Sequence, residues 1–144
     1  MKLKVLIIIG VIASITSAVA PASSSATSEP YLFDLLGKPT YQKSWNEMFK
    51  GEKNIDRWLA RYAKTRNGPA TPRSFVQSGG VTYEVSTVCK THDCEDNIFF
   101  VFFSPNGSKA WGLLLKNRSV ERFFGNPDEN KKRLIRSTVK QSQT

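Results

Sequence analysis

The sequence is poor in reactive side chains: its 144 residues hold one histidine and two cysteines. It has neither a Gly-x-Ser-x-Gly elbow nor a Cys-x-x-Cys pair, so the usual marks of a serine hydrolase and of a thiol–disulfide oxidoreductase are missing. It also has no apolar run of the roughly 20 residues that a membrane-spanning helix needs. Acidic residues are scarce too, 12 Asp and Glu against 21 Lys and Arg, for a formal charge of +9. No internal repeat occurs. What reactive chemistry there is lies together in "VCKTHDCED", Val88 to Asp96, which contains Cys89, His92 and Cys94.

The compartment decides what two cysteines mean. Lys2 and Lys4 precede the apolar run Val5 to Ile15, and Ala18-Val19-Ala20 ends in a small-x-small pattern before Pro21. Those features predict a cleaved secretory signal peptide over residues 1–20 and a periplasmic product with no membrane anchor. Removing that segment takes two lysines with it, so the charge falls from +9 to 9 − 2 = +7. In a cytosolic protein such a charge would suggest nucleic acid. Export weakens that inference and favours anionic envelope surfaces or acidic protein sites, with a merely solvated basic surface as the plainer alternative.

Residues 21–30, "PASSSATSEP", lack periodicity and read as a flexible lead-in. The remainder, 31–144, has the length of one domain. Thr40 is a candidate cap for a helix through "YQKSWNEMFK", where Tyr41, Trp45, Met48 and Phe49 form one stripe and Gly51 is a stop. "IDRWLARYAK" predicts a second helix, followed by the "TRNGPATP" loop. The period then changes to 2: in "VTYEVSTVC" Val81, Tyr83 and Val85 alternate with Thr82, Glu84 and Ser86, as in a half-buried strand. "NIFFVFFS" reads as a central strand covered on both faces. Asn106-Gly107 marks its turn into "KAWGLLLKN", and "SVERFF" reads as an edge strand. A last helix starts with Asn126 as cap and Pro127 at the first position. The expected class is α+β, an antiparallel sheet of about five strands with helices packed on one side.

The cluster therefore lies on the connection between two adjacent strands. Outside reducing conditions Cys89 and Cys94 are expected to be joined. The ring is only six residues, and its chain-entropy stabilisation is about 2 kcal/mol. Such a bridge shapes its own loop far better than it holds a domain, and preorganisation lowers the cost of a later binding step. Zinc would want four ligands at other spacings, and a hydrolase would need a nucleophile and an orienting acid beside His92. Neither a cofactor nor a metal is implied.

"CKTHDC", preceded by the tyrosine-bearing strand, the tryptophan-bearing helices and a "TP" loop, resembles the inhibitor of vertebrate lysozyme (Ivy) family. The resemblance extends from about Tyr31 to Val139 and rests most on the hexapeptide. It implies an inhibitor, not an enzyme, whose disulfide-closed loop enters the active-site cleft of a lysozyme, with His92 contacting the catalytic carboxyls. Lys90 and Asp93 would be the loop's shoulders, touching the cleft rim or bracing the loop from within. Thr91 stands where the family usually has proline, so the resemblance implies a less preorganised loop here. The expected partner is an animal c-type lysozyme, with the cell's own lytic transglycosylases as an alternative target; monomer and homodimer both remain open. A different alternative is an envelope-surface binder using Lys116, Arg118, Arg122, Lys131, Lys132, Arg133 and Arg136.

Overall fold

Apolar side chains on both faces of the central strands dictate how this chain packs. The structure is a computed structural model that describes residues 28–143; the expected signal peptide and residues 21–27 of the lead-in lie outside them. Four helices, α1 (Leu32–Leu35), α2 (Pro39–Met48), α3 (Arg57–Thr65) and α4 (Glu129–Ser142), accompany strands β1 (Ser74–Ser78), β2 (Val81–Cys89), β3 (Asn97–Phe103), β4 (Ala110–Lys116) and β5 (Val120–Phe124). The strands form one antiparallel meander in the order β1-β2-β3-β4-β5, which is the expected α+β class.

In β3 the odd positions Phe99, Val101 and Phe103 face a core built with Leu32, Leu35 and Leu36 around α1, Tyr41, Trp45 and Met48 of α2, and Leu59 and Tyr62 of α3. The even positions Phe100 and Phe102 join Val85, Leu113 and Leu115 under Ile135 and Val139 of α4. One layer of helices on one side would leave the second set in water. Helices α1–α3 therefore share one face, but α4 lies on the other, so the expected packing of the helices on one side holds for the first three alone. For the same reason β2 is covered on both faces rather than half-exposed. Glu84 and Ser86 are buried while Val81, at the strand's start, is exposed. The buried Glu84 carboxylate accepts from Tyr41 Oη at 2.8 Å and Arg73 at 3.2 Å, as a buried charge requires. Burial, with this carboxylate next to it, pushes the Tyr41 hydroxyl up to about 12.

Two helix starts differ from expectation. Helix α2 begins two residues earlier than the Thr40 cap implies, with Lys38 at the cap and Pro39 at the first position. Helix α4 is capped by Asp128, whose side chain accepts from Lys131 N at 2.7 Å, not by Asn126. Asn126 instead takes a left-handed conformation, φ 50°, which asparagine tolerates better than most residues. Strand β1 has no counterpart in the sequence reading. It pairs with β2 in register Phe75↔Glu84 and Val76↔Tyr83, joined through Gly79 and Gly80 at φ 58° and 76°. That glycine pair between two short runs was the available hairpin signal. At the same end of the sheet, Asn106 and Gly107 both have positive φ, as expected, within the turn from β3 to β4.

Candidate functional site

Strands β2 and β3 fix the positions of Cys89 and Asn97, and the seven residues between them must reverse the chain. Cys89 and Cys94 are joined by a disulfide, with Cα atoms 4.8 Å apart. Three backbone hydrogen bonds close the turn: Asp93 N donates to Lys90 O at 2.9 Å within the ring, and beyond it Asn97 N donates to Asp93 O at 3.1 Å and Lys90 N to Asn97 O at 3.0 Å. Its base is held from outside as well. Cys89 N donates to Pro69 O at 3.0 Å and Asn117 N to Asp96 O at 2.9 Å. Gly68 sits so close that a Cβ there would come within 2.7 Å of Cys89 O, so only glycine permits this approach at its φ of 140°.

Asp93 is the loop's internal brace. Its Oδ2 accepts from Lys90 Nζ and from Asn97 Nδ2, both at 2.8 Å. The Lys90 ammonium holds the Asp93 carboxyl below its ordinary range, and that hydrogen bond in turn raises Lys90. Of the two roles open to Lys90 and Asp93, the geometry is that of bracing. Asn97, buried at the start of β3, completes the brace and had no signal in the sequence beyond its position next to the loop.

His92 is exposed at the turn with φ 62°. Histidine is among the few residue types enriched in that left-handed region. Thr91 is exposed beside it. Together these residues make a projecting, covalently closed loop whose carboxylate and ammonium are already paired and whose imidazole is presented outward.

The basic residues do not assemble into one free surface. Lys116 pairs with Asp56 at 3.0 Å, Arg122 with Glu52 at 3.1 Å, Lys132 with Glu129 at 2.7 Å and Arg136 with Glu121 at 2.8 Å. Arg118 pairs with Glu95 and Arg133 with Asn130. Lys131 Nζ lies over the rings of Tyr83 at 3.7 Å and Trp111 at 4.5 Å, a cation–π arrangement. Arg122 stacks over Phe124 of the α1–α3 core, while the α4 residues lie on the opposite face, so the sheet divides the set. Missed in the sequence was an open groove of about 680 Å³ beside the loop, lined by Arg57, Trp58 and Arg61 of α3 together with Lys90, Thr91 and Lys116. The i, i+4 spacing of Arg57 and Arg61 was the signal for it.

A protein-family model described as inhibitor of vertebrate lysozyme matches residues 40–138. The inhibitor of vertebrate lysozyme of Pseudomonas aeruginosa is 37% identical over 92 residues, 64% of this chain and 58% of that protein. A Yersinia pestis protein is 32% identical over 102 residues, 71% of this chain and 64% of its own length. The inhibitor of vertebrate lysozyme of Escherichia coli K12 is 28% identical over 102 residues, covering 61% of that protein. The matched stretch thus spans about three-fifths of the length of these relatives.

Proposed function

This chain belongs to the inhibitor of vertebrate lysozyme family, and from that premise we propose that it inhibits lysozyme by seating the Cys89–Cys94 loop in the enzyme's active-site cleft. Two catalytic carboxyl groups flank the scissile bond in such a cleft. An imidazole entering between them donates a charge-assisted hydrogen bond to a carboxylate and occupies the space a sugar ring needs. The observation that carries this reading is the outward-facing His92 on a loop whose other charged side chains satisfy each other. A loop so closed loses little conformational freedom on binding. The site of action is outside the cytoplasm, in the periplasm or beyond, where the substrate of lysozyme lies and a disulfide persists.

A lysis assay tests this. A suspension of peptidoglycan is treated with an animal c-type lysozyme and a several-fold molar excess of the chain without residues 1–20. Slowed lysis is expected; lysis at the uninhibited rate would sink the reading.

A further inference from the structure

We propose that the groove beside the loop is a second contact surface, one that receives an acidic segment from the rim of the cleft the loop enters. This inference rests on the inhibitory reading and adds what the partner must carry next to its catalytic cleft.

Three observations converge. First, the groove and the loop share a wall: Lys90 and Thr91 belong to both. A protein closing around His92 is thereby brought over the groove. Second, the groove's cations outnumber its acids. Arg57, Arg61, Lys90 and Lys116 line it, against the single carboxylate of Asp56; Lys116 is engaged by Asp56 at 3.0 Å and Lys90 by Asp93 at 2.8 Å, which leaves the two arginines as the cations in excess. Third, Arg57 and Arg61 carry no ion pair or side-chain hydrogen bond among the described residues, whereas Arg73, Arg118, Arg122 and Arg136 each have a carboxylate.

Like charges at i, i+4 oppose helix formation, so α3 carries this pair at a cost to itself. Covering the two guanidiniums with a protein surface that offered no acceptor would desolvate them without compensation. The partner that fits is one whose rim supplies carboxylates, to which a guanidinium can bind bidentately. Half-buried Trp58 forms an apolar floor next to them. The groove then selects among lysozymes: those with an acidic rim bind tightly, those with a neutral or basic rim bind through the loop alone.

The test compares two doubly charge-reversed chains in a binding-kinetics experiment on an immobilised lysozyme chosen for carboxylates on the rim of its cleft. One is Arg57→Glu/Arg61→Glu. The other is Lys43→Glu/Lys109→Glu, which makes the same change in net charge at two exposed residues lining a hollow at the opposite end of the sheet. Loss of the groove contacts should speed dissociation by about tenfold or more without slowing association. The control should change dissociation by less than about twofold. Unchanged dissociation of Arg57→Glu/Arg61→Glu beside intact inhibition would overturn the groove and leave the loop standing. If the unsubstituted chain fails to bind at all, both fall.

Discussion

His92 occupies a backbone position that most residues avoid, and this separates two effects that a single alanine substitution would mix. Alanine at φ 62° adds strain of about 1–2 kcal/mol to the loop besides removing the imidazole. Asparagine tolerates the left-handed region and removes the imidazole alone. His92→Asn is therefore expected to keep the thermal stability of the parent and to lose most of its inhibition, while His92→Ala loses inhibition and some stability. Melting curves beside a lysis assay read both. A His92→Asn chain that inhibits like the parent would show that the loop acts through its shape and not through the imidazole.

The brace around Asp93 titrates, and the signs are opposite for its two members. Asp93 has a lowered pKa in the folded chain, so its contribution is present above the ordinary carboxylate value and is lost as pH falls through the folded one. Lys90 has a raised pKa, so its contribution is present below the ordinary lysine value and is lost as pH rises through the folded one. The loop should stay braced from about pH 4 to about pH 10. Amide exchange of loop residues, compared with that of β3, is expected to accelerate below this window. Asp93→Asn should show the faster loop exchange already at neutral pH.

At the scale of elements, the central strands were legible and the edges were not. Between Asn97 and Ser104 the run "IFFVFF" is apolar at every step, so its burial on both faces could be read directly, and Asn106-Gly107 fixed its turn. By contrast "SFVQS" shows no alternation of burial because β1 is an exposed edge strand, held by its pairing with β2 and not by its own pattern. The four residues of α1 are too few to display a helical period. The brace among Lys90, Asp93 and Asn97 was beyond sequence reasoning for another reason: in a loop, spacing does not set which side chains meet. The loop's position, its closure and the outward histidine were readable because strand boundaries and compartment constrain them.

The same aromatic packing gives an element-level prediction. A Cβ at Gly112 would fall 2.1 Å from Phe99 Cζ, and Phe99 cannot give way because Trp45 and Phe124 meet its ring edge-on at 5.5 and 5.8 Å. Gly112→Ala should thus destabilise the chain by about 1–3 kcal/mol, measured by urea unfolding. An unchanged midpoint would show that β4 can move away from Phe99 freely.

For the whole molecule, charge works against encounter. With an animal c-type lysozyme as the proposed partner, both molecules are basic, this chain at +9, so long-range fields repel and the proposed inhibition has to rest on local contacts of the loop and the groove beside it. Raising ionic strength should leave the association rate nearly unchanged or increase it. A steep fall with salt would mean that attraction steers the encounter. The paired state of Lys116, Arg122, Lys132 and Arg136 fits this picture, since cations neutralised within the fold steer little.

The central claim is that the loop fills the catalytic cleft, and competition with a cleft ligand tests it most directly. The apparent dissociation constant of the chain for lysozyme is measured at rising concentrations of a chitooligosaccharide that occupies the same cleft. It should rise in proportion to the oligosaccharide once that ligand saturates the enzyme. A dissociation constant independent of the oligosaccharide would place the chain elsewhere on lysozyme and contradict the account.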